Sequence, residues 1–459
     1  MKKCLIFCFS ILFMLAAFSP LPVSAAYNSI LESLEPYSEI ILLESLEDGT
    51  IIFDKNKDVR TPPASLTKIV VAILVLENCP NLEEIVTVPE HAVKMFAGTN
   101  SSTAGLKIGE EISVMNLLRC MLIPSANEAA AVLADYVGKG SIANCVSMMN
   151  AFVRKLGCEN THFVNPHGLD EDGHYTTASD MAKITRYALT CDRGDVFEQI
   201  TATKKFTLPQ SNMSRPREIA TTNFLMNSGY RDYYSKYVTG IKTGSTTGAG
   251  RCVVAKASSG GYSYLAVIMR GTFYDVDRDG YMENGAFMDA KALFEWTFKN
   301  IRFETILTAN QVVTEVPVRL SSQTDHVTLV PGKSLSAFVP VGVGGNSVLV
   351  KADEKTMPVS IDAPVEKGQI VAELIVLYAG EEIARANLVA SAGVKRSTLL
   401  YMISLIKDLA VTTVFRIIIA LAAVLVAGYA GLNIYIMRKK RQRRRELKVL
   451  RYRDLDDRR

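Results

Sequence analysis

Ser65-Leu66-Thr67-Lys68 runs directly into eight consecutive apolar residues, 69–76, and this junction constrains the chain more than any other segment. The Pro62-Pro63-Ala64 lead-in and the unbroken apolar run predict a helix that begins at the serine. Residues i and i+3 of a helix share a face, so Lys68 reaches the hydroxyl of Ser65. A hydroxyl with an amine one turn away, at a helix N-terminus that favours developing negative charge, is what a serine nucleophile and its base require. Two later triplets extend the set. Ser125-Ala126-Asn127 falls between helical patterns at 114–122 and 128–136, and Lys242-Thr243-Gly244 lies in a strand-like run. The first offers a hydroxyl and an amide for proton relay and substrate orientation, and the second a cation beside a strand edge where a peptide can lie. An isolated Ser, Thr or Lys is usually a solvated surface group or a cap. The ordered set points to acyl transfer.

The two ends say where such chemistry takes place. Lys2 and Lys3 precede the apolar run 5–18, and Val23-Ser24-Ala25 is a small-residue cleavage site, so residues 1–25 read as a secretory signal peptide. Residues 417–437 are almost wholly apolar, and a transmembrane helix is expected over 414–437, with Arg416 able to snorkel at its outer edge. The basic cluster from Arg438 to Arg445 places 438–459 in the cytoplasm and the body of the protein outside. That tail holds twelve Lys or Arg against four acids, about +8, so the exported body is mildly acidic although the whole chain is +4. A nucleic-acid partner is not expected, because the basic residues abut a membrane span.

Between these ends the pattern changes once. Over 27–300, apolar strand-like runs alternate with helical periodicity, beginning with a hairpin, 40–43 and 51–53 around Asp48-Gly49, and closing on strands at 237–243, 252–257 and 262–269 about a turn at 244–250. Over 302–395, short Val-rich alternating runs punctuated by Gly and Pro predict a small β domain. Residues 397–411 have amphipathic character ahead of the span.

At this level of detail the chain resembles the low-molecular-mass penicillin-binding proteins that act as serine D-alanyl-D-alanine carboxypeptidases. The resemblance rests on Pro63-Ala64-Ser65-Leu66-Thr67-Lys68, on residues 121–130 around Ser125-Ala126-Asn127, on Asn165-Pro166-His167-Gly168-Leu169 with 175–180, on Gly240-Ile241-Lys242-Thr243-Gly244, and on 363–369 in the β domain. It implies an α/β (α+β) penicillin-binding/β-lactamase-like catalytic domain, followed by a small all-β domain and a C-terminal transmembrane helix. It also implies roles: Ser65 attacks the carbonyl between the terminal D-alanines of a peptidoglycan pentapeptide, Lys68 takes its proton, and Ser125 passes a proton to the leaving amine. Asn127 holds the substrate amide, Lys242 with Thr243 faces the terminal carboxylate, Gly244 belongs to the same substrate-binding strand, and the backbone N–H groups of Ser65 and Ser245 form the oxyanion hole.

No cofactor or metal is expected. His162, His167 and His174 lack the helical spacing of a zinc peptidase and read as scaffold. Cys120 and Cys145, in apolar helical stretches, read as small buried hydrophobes, and no disulfide is drawn among the six exported cysteines. The family often uses an Arg before its last helix to bind the substrate carboxylate, for which Arg270 and Arg278 are candidates. β-Lactams are expected as covalent inhibitors. A β-lactamase is the second reading, but class A enzymes use an added glutamate in a Glu-x-x-Leu-Asn segment, and none follows Asn127. A noncatalytic membrane receptor for β-lactams or peptidoglycan is the third, opposed by the completeness of the triplets.

Overall fold

The computed structural model describes residues 35–275, 282–341, 347–378 and 380–456. The expected signal peptide lies outside them. The chain forms two compact units, one of residues up to Leu307 with Leu335–Val350 and Ile375–Arg385, the other of Thr308–Ser334, Lys351–Leu374 and Ala386–Arg459.

The first unit is organised on a five-stranded antiparallel sheet. In spatial order its strands are Ile51–Lys55, Ile40–Ser45, Tyr262–Gly271, Gly250–Ser259 and Val238–Thr246. Ile40 and Leu42 belong to the main core cluster, whereas the alternate positions Ile41 and Leu43 are equally buried but lie outside it. Side chains alternate across a strand, so this division marks two covered faces and explains why the central strands read as continuous apolar runs. The helix Gly285–Asn300 packs on the two strands Gly250–Ser259 and Tyr262–Gly271. The helices on the cluster side include Lys68–Asn78, Val114–Leu122, Asn127–Val137, Ile142–Lys155 and Ala178–Thr190.

The Lys68–Asn78 helix is buried at every position from Lys68 to Leu76. A helix that is apolar all round is stable only when other elements surround it, and the Asn127–Val137, Ala178–Thr190 and Val114–Leu122 helices do so. Its first residue is thereby carried into the interior, beside the edge strand Val238–Thr246. Ser113, Ser141 and Thr177 cap three of these helices, each accepting a hydrogen bond from a backbone N–H in the first turn. Strands Ile301–Leu307 and Leu335–Pro340 also pair within this unit.

In the second unit, Thr314–Arg319 pairs antiparallel with His326–Pro331, and that strand pairs with residues 388–390. Ile361–Asp362 joins in parallel. Helix Thr398–Val411 begins at Ser397, whose hydroxyl accepts from Leu400 N, and ends where Thr412 turns extended (ψ 139°). Helix Thr413–Asp456 follows, and its stretch Thr413–Arg445 is long and apolar enough to cross a membrane. The apolar side chains of 417–437 are exposed, Val424 at 68% and Leu425 at 74%.

Candidate active site

Ser65 lies in a 3-10 turn, Ala64–Thr67, that opens into the Lys68–Asn78 helix. The sequence predicts an α-helical start; the tighter turn is a common way for a helix to begin, and it eclipses i with i+3. Lys68 Nζ consequently stands 2.7 Å from Ser65 Oγ. The turn is held from behind. Thr67 Oγ1 donates to Ala64 O (2.8 Å) and is 2.9 Å from His174 Nε2. Val164 N donates to His174 Nδ1 (3.0 Å), so a neutral His174 carries its proton on Nε2 and donates to Thr67. Burial pushes His174 down to about 4 and His167 down to about 3, the latter with help from Lys68, which keeps both neutral near pH 7.

Gly168 closes the other side of the turn. Its φ is +87°, and a Cβ there would lie 1.9 Å from Ala64 O. The same loop gives the His167 carbonyl to Lys68 Nζ at 2.9 Å, while Asn127 Oδ1 accepts from it at 2.6 Å and Ser125 Oγ lies at 3.5 Å. Burial drives Lys68 well below its ordinary value, the Lys242 charge adds to that, and Glu128 opposes it. A neutral amine has two N–H donors and one lone pair. The Asn127 and His167 oxygens can only accept, so they take both N–H groups and leave the lone pair for the Ser65 hydroxyl.

Ser125 joins the Val114–Leu122 and Asn127–Val137 helices with φ +66°, a left-handed conformation that non-glycine residues seldom adopt. Such strain clusters at working sites. The strand Val238–Thr246 completes the cleft. Lys242 is fully buried, donates to Thr243 O (2.8 Å), and is pushed by burial down to about 7. Thr243 Oγ1 is 2.5 Å from Thr222 Oγ1. Gly244 faces the nucleophile turn so closely that a Cβ would lie 3.0 Å from Ala64 Cβ and 3.1 Å from Ser65 N. Ser245 is exposed and its hydroxyl accepts from Arg251, whose guanidinium sits 4.0 Å over the Phe273 ring. Ser245, Thr246, Gly250, Arg251, Thr272 and Phe273 are among the residues lining an open depression of about 480 Å³.

The structure therefore brings together Ser65, Lys68, Ser125, Asn127, Lys242, Thr243, Gly244 and Ser245. Sequence reasoning missed Thr222, Arg251 and Asp170, which accepts from Thr246 Oγ1 (2.6 Å) and Gly248 N (2.8 Å). Arg251 was within reach of hairpin arithmetic. The turn is shorter than the predicted 244–250, with strands running to Thr246 and from Gly250, and this register sets Arg251 opposite Ser245. Arg270 is engaged by Thr61 Oγ1 (3.0 Å) and Glu39 (3.3 Å) instead, and Arg278 lies outside the described residues. His162 Nδ1 lies 2.8 Å from Gly173 O, within the scaffold. Among the described residues, no three of His, Cys, Asp and Glu group as a metal site, and the six cysteines are free thiols.

Comparison with known proteins places both regions of the chain. Residues 32–272 match the family model for D-alanyl-D-alanine carboxypeptidase, and 303–396 match that for the C-terminal domain of penicillin-binding protein 5. D-alanyl-D-alanine carboxypeptidase DacC of Escherichia coli is 30% identical over 82% of this chain and 88% of its own length. DacF of Bacillus subtilis is 28% identical over 84% and 92%. The crystal structure of penicillin-binding protein 5 from Haemophilus influenzae superposes with a TM-score of 0.59 at 26% identity, covering 79% of this chain and 98% of that one. With both regions matched, the chain belongs to the family of serine D-alanyl-D-alanine carboxypeptidases, hydrolases of the penicillin-binding fold.

Proposed function

We propose that this D-alanyl-D-alanine carboxypeptidase trims peptidoglycan stem pentapeptides at the outer face of a membrane, with Ser65 as its nucleophile. The observation that carries this reading is the Lys68 amine, desolvated, with both N–H groups engaged by Asn127 and His167 and Ser65 Oγ at 2.7 Å. Lys68 takes the Ser65 proton as Oγ bonds to the carbonyl carbon between the two D-alanines. The oxyanion rests on the backbone N–H groups of Ser65 and Ser245. Collapse breaks the C–N bond, Ser125 delivers the proton to the departing amine, and D-alanine leaves. Water then hydrolyses the acyl-enzyme. Asn127 holds the substrate amide, while Lys242, Thr243 and Gly244 receive the terminal carboxylate. Arg251, already seated on Ser245, adds a planar donor for that carboxylate.

β-Lactams acylate the same serine and leave slowly. No Glu-x-x-Leu-Asn segment follows Asn127, loop 165–169 gives Lys68 only the backbone carbonyl of His167, and the nearby Asp170 and Glu171 are bonded to Thr246, Gly248 and Asn165. For the anchor, the exposed apolar surface of 414–437 supports a bilayer span, with 397–411 at the interface and 438–459 inside the cell. The test is D-alanine release from a defined pentapeptide by full-length protein and by S65A. Release by the wild type and none by S65A supports the reading. Penicillin binding without release would make the chain a receptor.

A further inference from the structure

Glu128 follows the Asn127 of the second triplet and is 3% exposed. A buried carboxylate is costly to leave unpaired, and this one is bonded in a particular way. Its Oε1 accepts from Thr103 Oγ1 (2.5 Å), Ala104 N (2.7 Å) and Leu106 N (3.5 Å). The same loop reaches the other side of the corner, since Asn127 N donates to Ser102 O (2.9 Å) and Ser102 Oγ donates to Pro124 O (2.5 Å). Residues 102–106 are therefore stitched to both ends of the strained 124–128 corner that presents Ser125 and Asn127 to Lys68. Arg217 completes the frame, with Nε on Ala104 O (3.0 Å) and NH1 on Glu110 (2.9 Å).

We propose that Glu128 is a positioning residue for acyl transfer, its carboxylate clamping loop 102–106 onto the Ser125–Asn127 corner and placing a buried negative charge in the field of Lys68. The inference rests on the reading of Ser65 and Lys68 given above. The charged groups around Lys68 are few. Lys242 faces it from the edge strand and makes protonation harder, while Glu128 makes it easier. His167 and His174, on the loop opposite, are neutral above pH 5, at about 3 and about 4. On the Glu128 side, Arg217 is paired with Glu110, and Cys120 is pushed by burial up to about 12 and stays a thiol. Arg119, on the Cys120 helix, bonds Asn116.

The two functions separate by substitution. Glu128→Gln keeps an oxygen acceptor for Thr103 and Ala104 but removes the charge. Without it, Lys68 loses its proton at lower pH, so the acid limb of the acylation rate against pH should move down by about half to one pH unit. Glu128→Ala removes the clamp as well and should slow acylation about 10- to 100-fold at every pH, through displacement of Ser125 and Asn127. A purely structural residue would change the rate and leave the limb in place. The measurement is the second-order rate of labelling of full-length protein by a fluorescent penicillin between pH 5 and 9, with thermal melts of each variant. An acid limb that stays put in folded E128Q overturns the proposal. If E128Q does not fold, Glu128→Asp carries the test: it should keep the limb and slow the rate, and a moved limb with an unchanged rate overturns the proposal. A wild type that shows no Ser65-dependent labelling overturns the site reading and this inference together. A labelled wild type with an unmoved limb overturns Glu128 alone.

Discussion

Gly168→Ala should all but disable the nucleophile without touching any side chain of the site. At φ +87° an alanine pays steric strain of about 1–2 kcal/mol. Its Cβ would also lie 1.9 Å from Ala64 O, 2.4 Å from Ala64 C and 2.9 Å from Ser65 N. Ordinary carbon–oxygen contact begins near 3.3 Å, so the loop and the turn bearing Ser65 have to separate by about 1.4 Å. Those atoms are backbone and cannot rotate away. A displacement of about 1 Å at a reacting group lowers rate about 100-fold, and overpacking adds about 1–3 kcal/mol of instability. Gly173 supplies the control. It has nearly the same φ, +85°, but its added Cβ would meet only Val164 Cγ1 at 3.7 Å. Fluorescent-penicillin labelling kinetics with thermal melts should find G168A acylated about 100-fold more slowly, and G173A destabilised by about 1–2 kcal/mol yet acylated within about threefold of the wild type. G168A labelling at the wild-type rate would refute the claim that this loop fixes the position of Ser65.

Three further outcomes follow from the same geometry. Ser125→Gly relieves the +66° backbone while Ser125→Ala keeps it, so the glycine variant should be more stable by about 1 kcal/mol, with D-alanine release slow in both; full activity in either would remove Ser125 from the proton path. His167 and His174 stay neutral in the folded protein down to about 3 and about 4, whereas the unfolded chain protonates them near 6.5. Below that pH the unfolded state binds more protons, so folding should weaken by about 1.4 kcal/mol per histidine per pH unit until each folded value is reached. Denaturant titrations at pH 7 and pH 5 check this, and equal stabilities would contradict it. A chain ending at Lys395 should be soluble and still release D-alanine from a short peptide, while the full-length protein should resist extraction from membranes by high salt or alkali.

Much of this site was legible because its residues are local in sequence. Ser65 and Lys68 are three apart, the apolar run behind them can only be a buried helix, and the Ser125 triplet sits between two clear helical patterns. The hairpin 40–55 and the Lys242 strand were equally readable from short apolar runs and turn residues. What the sequence hid is long-range or conformational. Thr222 meets Thr243 across 21 positions, and Glu128 meets a loop 22 to 25 positions earlier. Nothing in local periodicity announces either pairing. The left-handed Ser125 was invisible for another reason, since intrinsic preference argues against it and only the surrounding contacts impose it. Arg251 was missed through a turn drawn too long, which shifts every cross-strand partner.

The central claim is that Ser65 forms the covalent bond. After brief exposure of full-length protein to penicillin, cleavage on the C-terminal side of Arg and Lys should yield residues 61–68, the segment between Arg60 and Lys68, heavier by one opened drug molecule. Fragmentation of that peptide separates Ser65 from Thr61 and Thr67. The account predicts the added mass on Ser65, and its loss in S65A together with D-alanine release. Added mass on Thr67 or Ser125, or D-alanine release that persists in S65A, would contradict it.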